Sequence, residues 1–457
     1  MKRITALFAM LIFSNVYAIN LYDSYRAAIS FNADYLSAIA SNDASQEAKV
    51  QSRAALLPQV AVGASFSENF FQQYGTSKSL SGAPTTDNMY TWYHQPVYSA
   101  NLTQTIFDFS AFSAYVRSKY FVQVSNLQLE NAKQKLLVQT AQAYFDVLFA
   151  KSRLEALKAN KNALEKQMKQ SQKSFEVGTA TIADVNDAKS ALDIVVANTI
   201  KAENDLANTK NTYANITGLN PDEISDIKEK INLQTLPKDS NSYAIQSLIG
   251  NIDVLIAEQQ LNMANIDVLI ARGGYVPTVS LSVGYDYKDT GGFDKTNATQ
   301  AQKDQLNIAG GLLSRNANSA VQLSLNIPIY NGGVTNSKVR ETSAKYVAAR
   351  DNLLQLKRNT DRSTQNAFLL VQNGANEVKA QEAALKSAKI KLDSDTLGYK
   401  VGVRNSVDLV NSQNNYTKVW QDYQQSRYQY LMAQIQLNYL IGDAHLDILQ
   451  SVDTSIT

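Results

Sequence analysis

Cysteine is absent from the 457-residue chain. That excludes disulfides, thiolate metal sites and a lipid-modified N-terminal cysteine, so any membrane attachment must come from the fold itself. Histidine occurs only as His94 and His445, too few for a histidine-built metal centre or a Cys–His nucleophile. Proline numbers 7 and glycine 19, which leaves no long flexible linker. There is no G-x-x-x-x-G-K loop to cradle a nucleotide phosphate. Charge of one sign is also missing. Apart from Lys2 and Arg3, 41 basic residues face 41 acidic ones, and without a basic stripe nucleic acid is not an expected partner. After residue 18 no run of about 20 apolar residues occurs, so no transmembrane helix is expected.

What is present begins with a leader. Lys2 and Arg3 precede an apolar stretch from Ile4 to Phe13, too short to cross a bilayer, and Val16-Tyr17-Ala18 offers small residues at the recognition positions of a signal peptidase. Residues 1–18 read as a secretory signal cleaved after Ala18.

The mature chain repeats its punctuation. The first half runs from Leu56-Leu57-Pro58-Gln59 through Thr105-Ile106-Phe107-Asp108 to Phe175-Glu176-Val177-Gly178 and Ile216-Thr217-Gly218. The second runs from Tyr275-Val276-Pro277-Thr278 through Pro328-Ile329-Tyr330-Asn331 to Tyr399-Lys400-Val401-Gly402 and Leu440-Ile441-Gly442. Between each V-G turn and the closing glycine the spacing agrees without a gap. The expected organisation is a signal peptide at 1–18, a first repeat at 19–218, an equatorial insert at 219–241, a second repeat at 242–442 and an equatorial tail at 443–457.

Each half holds two strand candidates. Val279, Leu281, Val283, Tyr285 and Tyr287 alternate with polar residues, as do Val321, Leu323, Leu325, Ile327 and Ile329. Val60, Val62, Ala64 and Phe66 form a third set, and Tyr93 to Phe107 a weaker fourth. Period two with one apolar face marks a half-buried strand, and the lengths fit the roughly 9–11 residues of a tilted membrane strand. A soluble β-sandwich is the other reading. Four strands cannot close a membrane barrel, for which about eight are needed, and an open edge in lipid leaves its N–H and C=O groups unpaired. If these strands enter a bilayer, several chains must share one barrel. The linkers from about Glu68 to Trp92 and from Asp289 to Asn318 are rich in Gly, Ser, Thr, Asn and Asp and read as exposed loops.

The remainder reads as helix. Ala111 to Glu176 and Thr335 to Lys400 are 66 residues each, roughly 100 Å if continuous. Leu137, Ala141, Tyr144 and Leu148 keep coiled-coil intervals, as do Leu154, Leu157, Lys161, Leu164 and Met168. Polar residues and alanine fill many seam positions and apolar residues occupy more than one face. That suits a helix packed on two neighbours in a tube wall, and leaves a solid coiled coil as the alternative. Leu21 to Leu56, Ile182 to Thr217, Ser242 to Arg272 and Ser406 to Ile441 are shorter helices of about half that length.

The sequence resembles the TolC family of outer-membrane efflux proteins. The resemblance rests on Leu102-Thr103-Gln104-Thr105-Ile106-Phe107-Asp108, on Ile327-Pro328-Ile329-Tyr330-Asn331-Gly332-Gly333, and on the two V-G turns with Asp184 and Asp408. It covers essentially the whole mature chain. It implies a mainly α fold with a membrane β-barrel: a homotrimer whose four strands per chain make a twelve-stranded barrel in outer-membrane lipid, continued by a coiled-coil helical barrel in the periplasm of a Gram-negative cell. The function implied is passive export of small molecules or proteins, with a periplasmic adaptor (membrane fusion protein) and an inner-membrane pump as partners. No enzyme activity and no cofactor are expected. A trimeric surface stalk or adhesin anchored by a shared barrel is the rival reading, and a periplasmic enzyme finds no residues to support it.

The tip turns after the long helices are the expected site. Gly178 and Gly402 sit where a left-handed residue ends a helix. Thr181-Ile182-Ala183-Asp184 matches a capping box and Asn405-Ser406-Val407-Asp408 comes close. The bland role of both aspartates is helix capping. A tip residue on a threefold axis would also recur as a ring, and a carboxylate ring selects cations. The pore constriction is therefore assigned to Asp408, with a cation block expected there; the resemblance implies a second constriction position one turn on, at Asn411, whose repeat equivalent is Asp187. The resemblance further implies a gate latch in which Tyr399 bonds Asp184, Arg404 reaches the adjoining tip near Ala183 and Asp184, and Gln167 makes another link. Asn411 and Thr396 stand where the family carries acidic residues.

Overall fold

A computed structural model describes residues 19–78, 84–226, 231–233, 236–297, 315–444, 449–450 and 452. The leader at 1–18 and His445 lie outside the described residues. Contacts divide the chain into two compact units, and each draws on both halves of the sequence. One takes residues up to 44, 124–259 and 350 onward; the other takes 45–123 and 260–349.

The second unit carries the strands. These are β1 (Gln59–Lys78), β2 (Pro84–Phe107), β3 (Thr278–Asp289), β4 (Gly291–Thr296) and β5 (Arg315–Asn326). The main path is β1-β2-β3-β5, with β4 beside β2, and every pairing is antiparallel. Register aligns the apolar positions into rows. Val60, Leu102, Val283 and Val321 stand opposite one another across all four long strands. One residue along, the row is Gln59, Thr103, Ser282 and Gln322. Successive side chains point to opposite faces, so one face of the sheet is apolar and the other polar. Among the described residues the apolar row has no core over it: Val60 is 70% exposed and Val321 75%.

The hairpins are longer than the composition suggests. The stretches from Glu68 and Asp289 expected as loops carry strand among their described residues: β1 continues to Lys78, β2 starts at Pro84, and β4 occupies Gly291–Thr296, while 79–83 and 298–314 lie outside the described residues. Cross-strand aromatic pairs supply the reason. Phe70 lies opposite Trp92 with ring centroids 5.0 Å apart, and Phe66 stacks on His94 at 6.2 Å. Such pairs support a ladder whose other side chains are poor strand formers. At the far end the expectation overreached, since β5 stops at Asn326 and Ile327 and Ile329 lie beyond it.

The helices are α1 (Leu21–Phe31), α2 (Ala33–Ala54), α3 (Phe109–Glu176), α4 (Ile182–Thr217), α5 (Ser240–Gly250), α6 (Ile252–Gly273), α7 (Val334–Lys400) and α8 (Ser406–Leu440), with a 3-10 turn at Pro221–Glu223. The two long helices run for 68 and 67 residues, as the lack of proline predicts. The expected seam Leu137, Ala141, Tyr144 and Leu148 is buried, in one cluster with Tyr25, Tyr213, Leu431 and Ile435. Its polar atoms are satisfied: the Tyr213 hydroxyl meets Ser24 Oγ at 2.7 Å, and Tyr144 donates to the Ser225 carbonyl at 3.0 Å. From the insert, Ile224 bridges Ile19; from the tail, Leu449 and Val452 join the same cluster.

Two helices expected as single pieces are each broken, at Asn32 and Asn251. Each asparagine caps the helix before it with its backbone N–H. Each also starts the next helix, Asn32 Oδ1 accepting from Tyr35 N at 3.0 Å and Asn251 Oδ1 from Val254 N at 3.2 Å. An asparagine side chain competes with the helical ladder in this way, and the two breaks are built alike.

Candidate functional site

The two helix turns are built alike. Gly178 and Gly402 both have φ of +78°, a left-handed conformation that costs glycine little. In the first turn Thr179 N donates to Ser174 O at 2.8 Å and Gly178 N to Phe175 O at 2.9 Å; in the second, Val403 N donates to Gly398 O at 2.8 Å and Gly402 N to Tyr399 O at 3.2 Å. These bonds satisfy carbonyls that a helix end leaves open. Thr181 Oγ1 then accepts from Asp184 N at 3.2 Å, and Asn405 Oδ1 from Asp408 N at 2.7 Å, starting α4 and α8.

The side chains diverge where the backbone does not. Asp184 completes a capping box, accepting from Thr181 N at 2.9 Å and Thr181 Oγ1 at 2.7 Å. These bonds, the hydroxyl first, hold its carboxyl below the usual carboxylate range. Asp408 instead faces Arg404, whose terminal nitrogen is 3.7 Å away.

Within the chain the expected latch residues go to other partners. Asp184 is engaged by Thr181 rather than by Tyr399, which is half-buried. Arg404 turns to its own hairpin, its Nε lying 3.3 Å from Asp395 Oδ1. Gln167 does join the two hairpins: its Nε2 donates to Ser406 Oγ at 3.0 Å, with Ser171 Oγ 3.3 Å from the same hydroxyl. Thr396 is spent on the Leu392 carbonyl one turn back in its own helix. Asp187 and Asn411 line one groove of about 460 Å³ between α4 and α8. Its floor includes Asn160, 2% exposed, which donates to Asn414 Oδ1 at 3.1 Å.

Asp395 escaped the sequence reading. It is 3% exposed, and Lys391 Nζ donates to it at 2.6 Å while the Ser412 hydroxyl also bonds it. Lys391, Ser412 and Arg404 together hold its carboxyl below the ordinary range. The one signal in the sequence was Lys391 at i−4, a spacing common to many solvated helix pairs.

Residues 25–219 and 245–443 match the family model described as outer membrane efflux protein. Outer membrane protein TolC of Escherichia coli strain K12 is 27% identical over 442 residues, spanning 96% of this chain and 85% of that protein. The alkaline protease secretion protein AprF of Pseudomonas aeruginosa is 23% identical, with 95% of this chain and 87% of that one covered. Among solved structures, the Campylobacter jejuni CmeC outer membrane channel superposes with a TM-score of 0.76 at 16% identity, covering 96% of this chain and 90% of its own.

Proposed function

Since the chain belongs to the outer membrane efflux protein family, we propose that three copies form one conduit, joined by a periplasmic adaptor to an energy-supplying inner-membrane pump, and that the paired helix turns are its gate. The protein is an outer-membrane export channel, and its relatives include a protease secretion protein. Its duty is to conduct cargo, not to transform it.

The open sheet carries the trimer reading. Its apolar row and both outer strands, β1 and β5, find no cover among the described residues. In lipid each unpaired N–H or C=O costs several kcal/mol. Pairing β5 of one copy with β1 of the next removes both edges at once, and three copies supply twelve long strands.

For the gate, the support is the pairing of two backbone-identical turns with unlike side chains. Asp408 beside Arg404 is free of the capping box that occupies Asp184, so it is the carboxylate available to a passing cation, with Asp187 and Asn411 a turn further along. Opening separates the Gly178 and Gly402 turns once the Tyr399 and Arg404 links between neighbouring helix pairs break. In planar bilayers, Tyr399→Phe with Arg404→Ala should raise single-channel conductance; a conductance equal to that of the unmodified trimer rejects the latch.

A further inference from the structure

We propose that Asp395 and Gly398 form a seat that positions Arg404 at the turn; this rests on the turns being the gate. Two independent features of α7 converge on the same side chain. The first is the buried carboxylate. Asp395 is almost wholly removed from solvent, yet three groups address it: Lys391 Nζ at 2.6 Å, the Ser412 hydroxyl from α8, and Arg404 Nε at 3.3 Å. Lys391 Nζ also donates to Ser412 Oγ at 2.8 Å, so the carboxylate is held by two mutually bonded partners besides Arg404. A charge held out of water is tolerated only when its lone pairs are taken, and removing one partner leaves the others uncompensated.

The second feature is a missing side chain. A Cβ on Gly398 would lie 2.7 Å from Arg404 Cγ and 3.4 Å from its Cβ. The arginine stem therefore rests against bare helix, and the Gly398 carbonyl accepts from Arg404 N at 3.1 Å. The stem is held by Gly398 and the inner nitrogen by Asp395. The terminal nitrogens remain at the surface, the side chain being 54% exposed, with one of them 3.7 Å from Asp408. A guanidinium anchored at Nε presents its outer fork in a fixed direction, so the seat aims Arg404 outward and favours the closed turn.

The test is a set of variants of the full trimer: Asp395→Asn, Gly398→Ala, Arg404→Ala and the double variant Asp395→Asn with Arg404→Ala. Each is read by single-channel conductance and by hydrogen exchange of the 396–412 segment. Asp395→Asn removes the charge, and Gly398→Ala pushes the stem by a different route while placing a better helix former in α7. If the seat exists, both raise resting conductance to the level of Arg404→Ala. The ratio of double-variant to Arg404→Ala conductance should then be about 1, because positioning an absent arginine adds nothing. A merely structural carboxylate gives additive effects instead. The seat is overturned if Arg404→Ala opens the channel while Asp395→Asn and Gly398→Ala do not. If Arg404→Ala itself leaves conductance unchanged, the gate role of Arg404 falls and exchange decides the seat. Equal, non-additive acceleration in Asp395→Asn and Arg404→Ala sustains it, and unaltered exchange in Asp395→Asn removes it.

Discussion

Asp184 and Asp408 occupy the same place in two turns of one backbone shape, yet only one of them is committed to its helix. Thr181→Ala should therefore cost about 1 kcal/mol at the start of α4, seen as roughly fivefold faster hydrogen exchange in its first turn. The pH dependence follows from the lowered carboxyl of Asp184. A folded value below the unfolded one gives stabilisation that is complete above the unfolded value and lost as pH falls through the folded one. Protection from exchange in that turn, taken relative to the intrinsic rate at each pH, should fall on acidification below about pH 4, and Asp184→Asn should abolish the dependence. For Asp408 the expected readout is electrical: Asp408→Asn weakens block by multivalent cations added from the periplasmic side, whereas Asp184→Asn leaves it in place. Block unaffected by Asp408→Asn would move the selectivity ring to Asp187. The sequence exposed both aspartates because they follow a glycine at fixed distance. It concealed Asp395, since burial of that carboxylate depends on Ser412 approaching from a second helix, and one helix's pattern contains no record of its neighbour's reach.

Among elements, the turns and long helices were legible and the strand ends and helix breaks were not. Glycine followed by a capping residue is a local signal, and the lack of proline across α3 and α7 is another. The end of β1 is decided across the hairpin, where Phe70 meets Trp92; a stretch rich in Ser, Thr and Asn reads as loop until its partner strand is known. The breaks at Asn32 and Asn251 hinge on whether an asparagine side chain turns back to the amide three residues on, a choice that interior and capping asparagines share. Asn251 is buried and also donates to the Leu440 carbonyl at 3.0 Å. Asn251→Ala should accordingly lower stability by about 2 kcal/mol, one cap and one buried bond together, with a measurable fall in the unfolding midpoint in detergent. Gly178→Ala and Gly402→Ala give a sharper comparison. Nothing lies within 4 Å of the added carbon in either case, so the penalty is the left-handed backbone alone, about 1–2 kcal/mol, and the two variants should match. Unequal midpoints would mean that the turns meet different surroundings in the assembly.

For the whole molecule, the expectation that one chain cannot seal its own sheet was readable from strand count alone, and the paired register gives it residues. The cysteine-free sequence makes the test clean. Cysteines introduced on β1 and on β5 of the same chain should cross-link copies into covalent trimers, while cysteines on β2 and β3 should join only within a chain; cross-linked dimers that never advance to trimers would reject threefold closure. On the apolar row, Val60→Arg should cost about 2–4 kcal/mol in a bilayer, and Gln59→Arg on the opposite face far less. That the apolar row has no cover among the described residues reaches further than the finished channel. A newly exported copy carries an oily panel through water with none of its described residues folded over it, so maturation should wait on encounters between copies. Dilution should slow it more steeply than first order. A cell short of this protein should therefore hold unassembled copies rather than a population of narrower pores.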